Sequence, residues 1–279
     1  RISSIGRISS IGRISSIGRI SSIGRISSIS AFSGLSDETI EAYLPESDTY
    51  YVLVFSPEGA YSNTQSYQLD IALQPSALRQ PTIVAQPVAG LTGCIAQDAS
   101  RRTLVLVNYQ RMRSVYPNNT NDVTTLKNTL ESQTFINSNN NVIIELFGCV
   151  FQGNDVNHLK TLYQEWDNNA DQPLYANEVA QQIWYMIDAL ITQKFPSIEY
   201  LVIVGGDNII PFYRVPDETT LTNESTYFQQ QRDNQGSLFA NNTPLRGSLF
   251  YNFIQTDNFY ADRQPTPWRG RALYIPDLA

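Results

Sequence analysis

Apolar residues follow two alternating rhythms over residues 101–279. Thr103-Leu-Val-Leu-Val107, Asn141-Val-Ile-Ile-Glu-Leu-Phe147 and Glu199-Tyr-Leu-Val-Ile-Val204 are short runs with little polar interruption. Such runs predict strands buried on both faces, as in a parallel sheet. Between them the apolar spacing is helical. Asp122–Ser132 places Val123, Leu126 and Leu130 on one face, and Val156–Glu165 reads as a short helix. A long helix is expected from Asn177, its cap, to Lys194, with Val179, Ile183, Met186, Ile187, Leu190 and Ile191 as its stripe. A polar stretch follows at 216–270, and Arg271-Ala-Leu-Tyr-Ile275 predicts a last short strand. Strands alternating with helices predict an α/β fold, a parallel sheet with right-handed crossovers and helices on both faces.

The first hundred residues read differently. Residues 1–30 repeat the hexad Arg-Ile-Ser-Ser-Ile-Gly, the fifth copy ending in Ser30. Isoleucine at every third position drifts off a helix face and does not alternate like a strand. A low-complexity tail without fixed structure fits this composition. A short hexapeptide solenoid and an expanded DNA repeat are the other readings. Residues 31–74 read as β structure, with strands at Thr49–Phe55 and at Ser66–Leu73, where Tyr67, Leu69, Ile71 and Leu73 share a face. Pro75, Pro81 and Pro87 mark residues 75–100 as a linker or an extended crossing segment.

Charge narrows the partners. The formal net charge is −7, and residues 1–30 hold five arginines and no acid. Removing those five from the 19 Lys and Arg leaves 14 basic residues against 26 acidic ones. An acidic body disfavours nucleic acid as a partner. Lysine is confined to Lys127, Lys160 and Lys194, a sparsity common in exported proteins. No stretch is apolar for long enough to span a membrane. No secretory signal is visible, and a chain that starts on Arg reads as a fragment or processed piece.

Candidate chemistry centres on the turn that follows the run at 199–204. Gly205, Gly206 and Asp207 stop that strand where ligands gather in open α/β sheets, outside the carboxyl ends. The turn has no GxGxxG pattern and no phosphate-loop lysine, which disfavours a nucleotide site. Asp207 reads as a loop brace, a pocket wall or a cation ligand. With Asp217, Glu218, Asp257 and Asp262 it would form a carboxylate cluster suited to a hard cation such as calcium, if the loops converge. Solvated turn aspartates are the alternative. Asp207, Asp217 and Asp257 are the candidate metal or pocket-wall residues; no other cofactor is indicated. His158 is the sole histidine, so with two cysteines a Cys/His zinc site cannot be assembled. The apolar strand beside Cys149 favours a buried free thiol, with a Cys94–Cys149 disulfide as the alternative. A Cys149–His158 nucleophilic pair is conceivable only if the strand end and loop bring them together.

Two stretches carry family resemblances. DTYYVLVFSPEGAYSNTQSYQLDIAL, ending at Leu73, resembles the last strands of a bacterial pre-peptidase C-terminal domain, a small β-sandwich appended to secreted peptidases. It also fits a hairpin of any β domain. Over residues 101–279 the chain resembles the first half of a gingipain-like cysteine peptidase, the C25-type branch of the caspase-like clan. The resemblance rests on EYLVIVGGDNIIPFYRVPDETTLTNESTY, on TDNFYAD with Asp257 and Tyr260, on RGRALYIPDLA, and on WDNNADQPLYANEVAQQI upstream. It implies a caspase-like subdomain of an exported or surface-associated bacterial enzyme that hydrolyses peptide bonds in protein or peptide substrates. The family's catalytic histidine sits in a His-Gly motif and its nucleophilic cysteine follows a later strand. This sequence has no His-Gly pair and no cysteine after Cys149, so no catalytic residue is assigned and the chain is expected to be inactive alone. A non-catalytic binding or adhesion module built on the same subdomain is the alternative.

Overall fold

The structure is a computed structural model of the chain. It describes residue 52 and residues 69–72, 78–95, 98, 100–138, 140–217, 219, 223–231, 240, 242–268 and 271–278. The repeat tail and most of the expected β module lie outside these residues. Residues 69–72, the part of the expected strand 66–73 that is described, belong to no helix or strand, and Leu69 and Ile71 are exposed.

The chain forms two compact units. Arg79–Arg214 with Gln255–Ala279 make one, and the other includes Val215–Ile254. The first holds a three-stranded parallel sheet of β1 (Thr103–Val107), β2 (Asn141–Glu145) and β3 (Tyr200–Val204) in the order β2-β1-β3. The register pairs Leu104 with Val142 on one side and with Leu201 on the other. Between β1 and β2 lie α1 (Tyr109–Val115), α2 (Thr120–Leu130) and α3 (Gln133–Ser138); between β2 and β3 lie α4 (Gly153–Asn168) and α5 (Pro173–Gln193). The first connection leads from β1 outward to β2, and the second leads from β2 back past β1 to β3, in the opposite direction. Right-handed crossovers therefore put the two helix groups on opposite faces of the sheet.

The expected α/β architecture is present, but its centre is elsewhere. Every residue of β1 is buried, including the neighbours Leu104, Val105 and Leu106, so both faces of this strand are covered. The run at 199–204, expected to be buried on both faces, is an edge strand among the described residues. Tyr200 is 45% and Val202 43% exposed, while Leu201 and Ile203 pack partly against the core. An apolar run records that a strand is hydrophobic; the order of strands decides which one sits in the middle.

Helix α5 is the main buttress of the core. Ala176, Val179, Ala180, Ile183, Ile187, Leu190 and Ile191 are buried along one stripe at three- and four-residue spacing. It begins earlier than expected. Pro173 occupies its first turn, a position where a missing N–H costs nothing, and Gln172 is the cap. Asn177 is thus inside the helix and does not cap it. Its side chain does other work, described below. The helix stops at Lys194, where the N–H groups of Lys194 and Phe195 both reach the Leu190 carbonyl before Pro196.

Residues 75–100, expected as a linker or an extended crossing segment, are in part a fixed strap. Residues 79–92 run extended over α4 and α5 and are held by side chains: the N–H groups of Arg79, Ala85, Gln86 and Ala89 donate to Gln172, Glu178, Gln182 and Asp155. Ile83, Val88 and Leu91 pack against the core. A disulfide joins Cys94 to Cys149 with Cα atoms 5.8 Å apart, and both residues are exposed. The favoured reading of Cys149 as a buried free thiol is therefore wrong; it lies in the turn after β2 rather than in the strand. The last strand also differs from expectation. β6 (Thr266–Trp268) and β7 (Arg271–Leu273) pair antiparallel as a hairpin and do not extend the parallel sheet.

The polar stretch 216–270 holds more structure than its composition suggests. β4 (Tyr213–Pro216) pairs with β5 (Phe253–Thr256), and α6 (Glu224–Gln231), α7 (Pro244–Phe250) and α8 (Asn258–Ala261) lie along it. In the second unit α6 and α7 meet through Phe228 and Phe250, whose rings stand edge-on 6.0 Å apart.

Candidate functional site

In a sheet ordered β2-β1-β3 the crossovers diverge between β1 and β3, and the crevice outside their carboxyl ends is the place where such folds bind ligands. Gly205 ends β3 with φ +133°, and a Cβ there would lie 2.8 Å from Cβ of Ile209. Only glycine fits this turn. The chain then curls so that the N–H groups of Ile209 and Ile210 donate to the Gly206 carbonyl, and both isoleucines are buried.

Asp207 braces this loop. Its Oδ1 accepts from the Phe212 N–H at 2.8 Å, and its Oδ2 accepts from the Arg214 guanidinium at 2.7 Å. Arg214 is 1% exposed and also donates to the Phe212 carbonyl. Its backbone is gripped from both sides by Asn177: the Arg214 N–H donates to Asn177 Oδ1 at 2.7 Å, and Asn177 Nδ2 donates to the Arg214 carbonyl at 2.9 Å. Tyr260, buried, adds a hydrogen bond from its hydroxyl to the Pro211 carbonyl. Burial holds the Tyr260 phenol well above its ordinary titration range, so it stays a donor.

On the β1 side, Asn108 caps α1 by accepting from the Arg111 N–H at 2.8 Å. Arg111 then ties three elements together. Its Nε donates to the Asn208 carbonyl at 2.9 Å, and its two terminal nitrogens bind Asp167 of α4 at 2.6 and 2.7 Å. The guanidinium lies over the Tyr163 and Trp166 rings at 5.0 and 5.4 Å. Tyr163 in turn donates its hydroxyl to the Ile209 carbonyl at 2.6 Å. The crevice rim is therefore a clamp of two arginines, two carboxylates and three aromatic side chains that fixes residues 205–214.

No family model, curated protein or solved structure matches this chain. The reading of the rim thus rests on its own geometry.

The carboxylates expected to converge have separate tasks. Asp257 belongs to the same unit as Asp207; it is exposed, stands at the start of α8 and makes no side-chain cap bond. Asp262, also in that unit, is buried and accepts from the N–H groups of Gln264 and Ile275, which pins the β6–β7 hairpin. Asp217 lies in the second unit. It is buried, and its two oxygens accept from the N–H groups of Thr219 at 2.8 Å and Glu224 at 3.0 Å, tying the loop to the start of α6. Glu218 lies outside the described residues. Among the described residues no three His, Cys, Asp or Glu side chains form a group that could hold a metal.

Nor is there a thiol nucleophile. Cys94 and Cys149, the chain's two cysteines, are joined to each other, which removes the Cys149–His158 pair as a dyad. Nε2 of His158 lies 2.9 Å from the Val84 carbonyl, on the strap. Among the described residues no helix is long and apolar enough to cross a membrane. Sequence reasoning singled out Asp207 but missed Arg111 and Asp167 and took Asn177 for a helix cap. Their partners are 37 to 97 residues away in sequence, and no local spacing announces them.

Proposed function

We propose that this chain is the sheet-bearing part of an exported, gingipain-like cysteine peptidase, and that it does not cleave peptides by itself. The observation that carries this reading is the open side of the sheet. Among the described residues β3 has one paired neighbour, and Tyr200 and Val202 expose apolar surface. A hydrophobic edge of this kind invites a further strand. In the caspase-like arrangement suggested by the resemblance, the strands that bring the histidine and cysteine would add on that side. The braced loop at 205–214 then serves as a pre-set wall of the crevice. The Cys94–Cys149 disulfide agrees with an oxidising, extracellular setting.

In this reading Asp207, Asp217 and Asp257 are wall and loop residues rather than calcium ligands, because the oxygens of Asp207 and Asp217 already hold backbone and guanidinium donors. Calcium titrated calorimetrically into the chain and into Asp207→Ala should give the same flat trace. The activity claim is tested on fluorogenic peptides. No thiol-dependent turnover is expected, and turnover abolished by Cys149→Ala would refute it.

A non-catalytic binding module is the second reading. It is favoured by a rim whose buried charges are spent on bracing. The coding sequence past Ala279 separates the two: an open frame with His-Gly and a later cysteine supports the peptidase, and a stop codon supports the module.

A further inference from the structure

A polar groove of about 460 Å³ lies between the strap at Gln86–Ala89 and the first turns of α4, away from the crevice rim. Asp155 lines it. This residue is 8% exposed; its Oδ1 accepts from the Ala89 N–H at 3.2 Å, and its Oδ2 is buried with no hydrogen-bond partner. A buried carboxylate oxygen left unfilled is costly, and native structures rarely keep one without reason.

His158 lines the same groove three residues later, one turn along α4 on the same face. Its Nε2 is bonded to the Val84 carbonyl, which can only accept. Nε2 therefore donates a hydrogen bond to that carbonyl, which leaves Nδ1 as the ring nitrogen open to a metal. A backbone carbonyl behind one ring nitrogen is the device that orients metal-bound histidines. Asn154, Asn157 and Thr161 add amide and hydroxyl oxygens to the lining.

From these features we infer a site for one divalent ion of borderline softness, such as zinc or cobalt(II). Asp155 Oδ2 and His158 Nδ1 are its protein ligands, and groove amides or water complete the shell. Imidazole nitrogen with carboxylate oxygen is a donor set that such ions accept and that calcium, which prefers oxygen alone, does not favour. Both ligands are also bonded to the strap, through Val84 and Ala89. The ion would consequently fasten the strap to α4.

The test uses the full chain after dialysis against chelator. Cobalt(II) or zinc is titrated by calorimetry while the imidazole protons are followed by NMR. With one histidine in 279 residues, their assignment is unambiguous. The expected result is one equivalent bound, with the His158 signals broadened by cobalt and shifted by zinc, and calcium unable to compete. Asp155→Asn and His158→Gln should each weaken binding by about tenfold or more. If His158→Gln loosens the strap, Asp155→Asn still decides, because its remaining carbonyl oxygen can keep the Ala89 bond. Imidazole signals unmoved at saturation, or equal binding by Asp155→Asn and the parent chain, would overturn the inference.

Discussion

β1 and β3 are two five-residue strands with nearly the same letters, Thr-Leu-Val-Leu-Val and Tyr-Leu-Val-Ile-Val, and opposite situations. β1 is buried along its whole length. Among the described residues β3 lies at the edge, with Tyr200 and Val202 open to solvent. Hydrophobicity alone cannot separate them, since both suit a buried parallel strand. What separates them is connectivity. The chain leaves β1 toward β2 and comes back to the other side, so among the described residues β1 has two neighbours and β3 one. The firm part of β3 is its end: the loop at 205–214 is clamped by Arg111, Asp207 and Arg214. The strand exposes apolar surface while its following loop is among the most braced segments of the unit.

The contrast is sharpest in the core. Leu106→Ala removes a fully buried side chain from the central strand and should cost about 3–4 kcal/mol in chemical denaturation, within the range for leucine truncation. Next comes the loop. Asp207→Ala removes a carboxylate that is ion-paired with the buried Arg214 guanidinium and should cost about 3 kcal/mol. A loss under about 1 kcal/mol would show that Arg214 is held by its other contacts and that the clamp is weaker than its geometry implies.

A smaller effect is expected at the end of β2. Burial raises the Glu145 carboxyl above its ordinary value, although it accepts from the Tyr109 N–H. The folded state therefore binds its proton more tightly than the unfolded state does. The stability this contributes is fully present below the ordinary carboxylate range and is lost as pH rises through the raised value. Glu145→Gln should remove that decline above the ordinary carboxylate range, seen as a flatter plot of denaturation midpoint against pH. The smallest effect belongs to β3. Val202→Thr, on the open face, should stay within about 0.5 kcal/mol of the parent.

How far the sequence can be read follows from the same physics. β1 was legible to the residue, and β2, α2 and most of α5 nearly so, because each is a periodic apolar segment. α1 was missed because it begins directly after β1 and runs only from Tyr109 to Val115, too short for a clear stripe. Asn177 was misread because an asparagine near a helix start usually caps it, whereas here it grips a backbone 37 residues away. α7 was hidden in a polar stretch, although Thr243 accepting from the Arg246 N–H, followed by Pro244, is a regular helix start. Asp207 could be placed at a strand end, but nothing local to Gly-Gly-Asp points to Arg214, and a carboxylate that braces has the same letter as one that binds a metal.

Residue-resolved amide hydrogen exchange tests the unfinished sheet most directly. Protection should be high and continuous over Leu104–Val107 in β1, while along Tyr200–Val204 in β3 it should alternate, with outward-facing N–H groups exchanging quickly. Uniform strong protection along β3 would mean that its edge is already covered, and would contradict the account.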